Sequence, residues 1–250
     1  MHINKQKNIS IMIKIIFQSM LFRALAATLI IISGTLILTM TFGSRDPNTK
    51  IAKTGMPWEV DPVNGGFSRV FGITLGQSTL GDAIDQMGES LQIAIVTPLA
   101  VPNETSAAIP PPSSALEAYV EPMRTQFLSG RLIISVKTRA EDLGAWRERS
   151  VRHQKSDTGA HLDSLSSEDM MIARHAVIVG LTYIPGAKLD ESVIQTRFGN
   201  DGYRQNINAD LVEWKFPSKG VVISLNAKGR DLLQYVAPKD FDATFGTTPP

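Results

Sequence analysis

Cysteine is absent from the 250 residues. That excludes disulfides, thiolate metal sites and thiol nucleophiles, and it also excludes the lipid-modified cysteine by which many exported proteins are tethered. An excess of either charge is missing too: 25 Lys and Arg stand against 24 Asp and Glu, a net charge of +1. No global field draws the chain toward nucleic acid, and no nucleic-acid partner is expected. No serine sits in a Gly-x-Ser-x-Gly elbow, no glycine-rich phosphate loop follows a strand, and no two histidines lie one helical turn apart as a zincin site requires.

What is present begins with an uncharged apolar run from Ala24 to Phe42, preceded by Lys5, Lys7, Lys14 and Arg23. A helix needs roughly 20 apolar residues to cross the hydrocarbon core, and basic residues before the span hold that end in the cytoplasm. Leu29 to Ile32 and Leu36 to Leu38 surround such a helix with apolar side chains, so it lacks the polar stripe of a soluble core helix. A cleaved signal peptide is the competing reading, with Thr41-Phe42-Gly43 placing small residues where a signal peptidase inspects them. The run is longer than a usual signal core and follows a long amphiphilic lead from Ile11 to Phe22, so a retained anchor is the expectation.

The expected layout is a basic cytoplasmic N-terminus (1–23), a transmembrane anchor (24–43), a tether (44–66) with Trp58 as a docking point, and a first α+β unit (67–146). A polar linker (147–163), a second α+β unit (164–243) and a disordered tail (244–250) complete it. The first unit is interrupted by a proline-rich loop over 98–114, where Asn103-Glu104-Thr105 matches a glycosylation sequon but reads as solvated loop. The linker carries Arg147, Arg149, Arg152, His153 and Lys155, read as solvation rather than as a lipid contact. Both 98–114 and 147–163 are expected to be mobile, since neither has the apolar content to offset backbone ordering.

The two halves echo each other. Val70 to Gly76 corresponds to Val179 to Gly186, and each is followed by a short amphipathic helix ending at glycine. In the first helix Leu80, Ala83, Ile84 and Met87 follow the cap candidates Ser78 and Thr79, with Gly88 as the stop; in the second, Asp190 caps a stripe of Leu189, Val193, Ile194 and Phe198 before Gly199. Strands follow. Val212, Trp214 and Phe216 alternate with Glu213 and Lys215, and turn tetrads at 217–220 and 226–229 bracket Val221 to Leu225 ahead of Leu232 to Val236, which predicts an antiparallel meander. Leu91 to Thr97, Leu116 to Val120 and Arg131 to Val136 form a looser copy. Thr138 to Glu141 reads as a capping box before a helix bearing Leu143 and Trp146, another helix begins near Ser166 or Ser167, and Val177-Ile178-Val179 predicts strand. Trp214, Phe216, Ile223 and Tyr235 are expected on one buried face against the helix of Val193 and Phe198.

The best titratable cluster is His161, Asp163, Glu168, Asp169 and His175. Its spacing fits no metal motif, and acids capping a helix explain Glu168 and Asp169. No catalytic, cofactor-binding or metal residue is assigned.

A turn with glycine, a short helix ending in Phe198-Gly199, then Trp214-x-Phe216 and a meander resembles the small SmpA/OmlA-type proteins that accompany the bacterial outer-membrane barrel assembly machine. The resemblance covers Thr182 to Tyr235, with a fainter copy from Ile73 to Thr97. Two such units in tandem are also similar to β-lactamase-inhibitor-type proteins, which act by binding another protein. The resemblance implies a noncatalytic binding module, while the missing cysteine departs from the lipid anchor of the small lipoproteins. The expectation is an inner-membrane-anchored bacterial protein whose periplasmic α+β part binds an envelope protein; the alternative is an exported hydrolase using 161–175.

Overall fold

The computed structural model describes residues 55–98, 114–125, 128–155 and 159–246. The apolar run 24–42, most of the proline-rich loop and the extreme C-terminal tail lie outside these residues. Among the described residues no helix is long and apolar enough to cross a membrane.

The protein is α+β. A three-stranded sheet is formed by β1 (Asp61–Val63), β2 (Phe67–Val70) and β3 (Ile73–Thr74). The other strands are β4 (Leu91–Thr97), β5 (Ala115–Arg124), β6 (Ser129–Val136), β7 (Arg152–Lys155), β8 (His161–Ser164), β9 (Ile178–Pro185), β10 (Tyr203–Asn206), β11 (Leu211–Phe216), β12 (Val221–Asn226) and β13 (Leu232–Val236). They join in one ten-stranded sheet, ordered β10-β11-β12-β13-β9-β6-β5-β4-β8-β7, in which every pairing is antiparallel. The helices are α1 (Leu80–Met87), α2 (Ala140–Glu148), α3 (Ser167–Ala173), α4 (Glu191–Phe198) and α5 (Phe241–Phe245).

Local chemistry explains where the helices start. Thr79 Oγ1 accepts from Asp82 N at 3.2 Å while the Asp82 carboxylate accepts from Thr79 N at 2.7 Å, a complete capping box. Ser166 and Asp190 cap α3 and α4 by accepting from Asp169 N and Ser192 N. The first turn of α1 has a second anchor: Leu80 N and Gly81 N donate to the carbonyls of Ala176 and Arg174 at 2.9 and 2.8 Å. The start of α1 is thus bonded to the connection that leads into β9.

One sheet face is the core. Leu116, Ala118, Leu132, Ile134, Leu181, Tyr183, Ile223, Leu233 and Tyr235 project from it by the two-residue alternation of strands, and α1 to α4 supply Leu80, Ala83, Leu143, Trp146, Ala173, Ile194 and Phe198 to the same cluster. Trp214, Phe216, Ile223 and Tyr235 share that face as expected, and Phe216 meets Phe198 at 5.5 Å between ring centroids. The helix stripe is shifted by one residue. Ile194 and Phe198, four apart, are the buried pair, and Val193 is exposed at the helix margin.

Several expectations are corrected. Segment 147–163 is not a polar linker, because β7 and β8 extend the main sheet beyond β4 and bury Asp163 there. The two halves do not have separate cores: β9 pairs with β6 on one side and β13 on the other, so one sheet and one apolar cluster span both. The tether is part of the fold from Gly55 onward. Met56 is buried, Trp58 packs on the core under the Arg197 guanidinium 5.0 Å away, and Tyr235 donates to the Pro57 carbonyl at 2.9 Å. Helix α2 has Arg139 rather than Thr138 at its N-cap, with no side-chain cap; Arg139 instead pairs with Asp142 at 2.8 Å. The sequence echo hides two local structures. Val179 to Gly186 falls mostly in the long strand β9, whereas Val70 to Gly76 contains the β2–β3 hairpin, whose two-residue turn places Phe71 at φ 53° and Gly72 at φ 79°.

Candidate functional site

The residues of the expected chemical cluster are brought near one another only in part. His161 and Asp163 lie on β8, Glu168 and Asp169 in the first turn of α3, and His175 follows α3 at the surface. Asp163 is buried and accepts from His153 Nδ1 at 2.7 Å and Arg147 Nε at 3.2 Å. Asp169 is buried as well, and pairs with Arg149 at 2.6 Å while Ser166 Oγ donates to it at 2.8 Å. The Arg149 bond holds the Asp169 carboxyl below the usual carboxylate range, against the opposing effect of burial, with Ser166 helping. These contacts tie α2 to β8 and α3. Among the described residues no group of three or more His, Asp or Glu is arranged to hold a metal ion.

Sequence reasoning missed the partners. Arg147 and Arg149 lie 16 and 20 residues before the acids they bind, a separation that no local pattern spans. Trp214, expected in the core, is nearly buried there, and its indole Nε1 donates to Glu191 Oε1 at 2.8 Å. Arg204 reaches the same oxygen at 2.6 Å. First the Arg204 bond and then the Trp214 bond pull the Glu191 carboxyl down.

Three surfaces remain. The first is a shallow apolar cleft of about 290 Å³, open mouth included, between Pro57-Trp58, α4 and the sheet, with Leu128 and Val193 on its rim. Tyr183 lines it, its hydroxyl buried and without a hydrogen-bond partner, and burial pushes that phenol up to about 12. Gly130 makes room for this ring: a Cβ there would lie 2.7 Å from the Tyr183 oxygen.

The second is the opposite face of the main sheet, whose central residues are themselves buried. Tyr119, Ile133, Thr182, Gln234 and Val222 form one row across five paired strands. Glu117 lies in the next row between Ala94 and Ser135. It is buried, one carboxylate oxygen has no hydrogen-bond partner, and loss of hydration pushes its carboxyl up to about 7. Arg131 nearby pairs with Glu121. Among the described helices only α5 packs on this face, setting Phe241 against Val222 and Val236.

The third surface is the pair of sheet edges, β10 at one end and β7 at the other. Among the described residues each is hydrogen-bonded to a strand on one side only, leaving a row of backbone groups outward.

Compared with known proteins, the chain matches no family model, no curated protein and no solved structure.

Proposed function

We propose that the protein is a noncatalytic binding or scaffold protein of the bacterial cell envelope. It is anchored in the inner membrane by residues 24–43, with its α+β part in the periplasm. One observation carries the noncatalytic half of this reading: the two buried acids of the 161–175 region, Asp163 and Asp169, are each bonded to an arginine that ties one element to another. A general acid or base needs a proton position open to substrate, and these oxygens face structural partners instead.

The membrane half rests on the apolar run and the four basic residues before it. The likeness to SmpA/OmlA-type and tandem inhibitor-type modules rests on the order of elements. α1 is followed by the antiparallel neighbours β4, β5 and β6, and α4 by the antiparallel neighbours β10, β11 and β12, with both helices on the same sheet face.

The test has two arms. Membranes containing the full chain are washed with alkaline carbonate, which should leave it in the pellet, and intact spheroplasts are treated with protease, which should remove the part after residue 54. A photo-reactive amino acid is then placed at exposed surface positions. Discrete adducts to an envelope protein are expected. Stoichiometric zinc that survives dialysis and is lost in His161→Ala would overturn the noncatalytic reading in favour of the hydrolase alternative.

A further inference from the structure

We propose that β7 is a docking edge, to which a partner protein adds an extended acidic strand; this deepens the binding reading above and rests on it. β7 closes one end of the ten-stranded sheet and, among the described residues, pairs only with β8, from Arg152 opposite Ser164 to Lys155 opposite His161. All four of its side chains are exposed. Its outer backbone groups are therefore within reach of another strand.

The edge is already in place. Ser150 Oγ donates to the Ser164 carbonyl at 2.8 Å, and His153 Nδ1 meets the buried Asp163 carboxylate at 2.7 Å, with Arg147 on its second oxygen. A strand held before its partner arrives loses little entropy on binding. Strand addition would thus start from a template that needs no folding step.

Charge selects the partner. Residues 147–155 hold Arg147, Arg149, Arg152, His153 and Lys155 against the single acid Glu148. Arg147 and Arg149 are taken up by Asp163 and Asp169, whereas Arg152 and Lys155 on β7 itself have no carboxylate partner among the described residues. A second copy fits poorly. Antiparallel pairing of two β7 strands in the register that joins all four residues would set Arg152 of one opposite Lys155 of the other, and like charges directly opposed in a sheet repel. Basic side chains on an edge exclude neutral and basic strands, and the same charges favour an acidic one.

The register gives a pattern. Read from its N-terminus, an antiparallel partner carries an acid opposite Lys155, two residues of either kind, an acid opposite Arg152, and then an apolar residue opposite Val151, which is 71% exposed. Because strand side chains alternate, the two acids fall on opposite faces. The other sheet edge offers no equivalent: on β10, Arg204 is bound to Glu191.

The experiment uses the full chain in neutral detergent micelles and a labelled peptide, Thr-Glu-Val-Thr-Glu-Val-Thr, read by fluorescence anisotropy. It should bind at least tenfold more tightly than the same peptide with lysine at both acidic positions, and N-methylation of its backbone should abolish binding. The double variant Arg152→Glu/Lys155→Glu should reverse the preference to the lysine peptide, a gain that a misfolded variant would not show. Acetylation of Lys155, followed by mass spectrometry, should be slowed by the acidic peptide. Equal binding of the N-methylated peptide, absence of any preference, or protection of Lys155 by added phosphatidylglycerol but not by peptide would each overturn the proposal. Because the peptide reads this edge alone, crosslinks to an envelope protein from elsewhere on the surface would refute the edge while leaving the binding function in place.

Discussion

The Phe71 ring stands edge-on to the Tyr235 ring, 5.9 Å between centroids at 77°, while its own backbone is held at φ 53°. Tyr183 also packs against this ring, 5.5 Å between centroids. Left-handed backbone costs a bulky residue about 1–2 kcal/mol, a cost offset here by burying the ring against both tyrosines. Together with Val70 and Ile73, which enter the same core, this turn residue fastens the small β1–β3 sheet to the main one.

An unusual mutational order follows from that geometry. Phe71→Ala loses the ring and keeps the backbone cost, and should destabilise by about 3–5 kcal/mol. Phe71→Gly loses the same ring but relieves the backbone, and should be more stable than the alanine variant by about 1 kcal/mol. Urea unfolding of both variants checks this, and alanine equal to or better than glycine would show that the turn is not strained.

Glu117 sets a pH dependence. Its folded-state carboxyl titrates near 7 rather than at 4.5, so the folded chain binds this proton more tightly than the unfolded chain. Its contribution is therefore most favourable below pH 4.5, falls between 4.5 and about 7, and is level above. The penalty above pH 7 is about 3 kcal/mol. Glu117→Gln should gain roughly that amount at pH 8 and nothing at pH 4, as read from melting curves at both pH values. An equal change at both would mean that the carboxyl is not buried in its neutral form.

Trp214 serves the core by its body and α4 by its indole nitrogen. Trp214→Ala should cost about 3–5 kcal/mol, and Trp214→Phe, which keeps most of the packing but leaves Glu191 short of one donor, about 1–2 kcal/mol. Chemical denaturation separates the two. An unchanged melting temperature in the alanine variant would indicate an exposed ring.

The shared sheet makes a prediction about fragments. A chain limited to residues 164–246 keeps β9 to β13 but loses β6, the neighbour of β9, along with Arg149, the partner of the buried Asp169 carboxylate. The fragment should not give a cooperative unfolding transition by circular dichroism. A fragment that folds and melts cooperatively would restore the division into two independent units.

Arg149 is the partner of a buried carboxylate, and Arg149→Met leaves the Asp169 carboxylate with the Ser166 hydroxyl as its remaining donor. A loss of about 1–3 kcal/mol is expected in denaturant unfolding. The double variant Arg149→Met/Asp169→Leu should recover part of it, since removing both charges also removes the desolvation cost.

Much of the local structure was legible because its causes are local. The caps of α1, α3 and α4 are set by Thr79, Ser166 and Asp190 within three residues of the groups they bond, and the meander of β11 to β13 by alternation and turn residues in adjacent positions. The strands β7 and β8 were not legible. Arg152-His153-Gln154-Lys155 shows no apolar alternation because β7 is an exposed edge, and β8 presents Asp163, whose burial is sustained by Arg147 and His153 from other elements.

By itself, the sequence determined the starts and caps of α1, α3 and α4, the alternating strands of the β11–β13 meander and the exclusion of every thiol-based chemistry, because spacing and composition act over a few residues. Only the tertiary structure decided that both halves share one sheet. β9 had to find β6 and β13, whose paired residues lie 42 to 56 positions away, and strand pairing over such separations is settled by which faces bury together. The same long-range closure placed Arg147 and Arg149 on the acids of the expected chemical cluster and left β7 with an open side, so the fate of the candidate site was a property of the assembled sheet rather than of any motif.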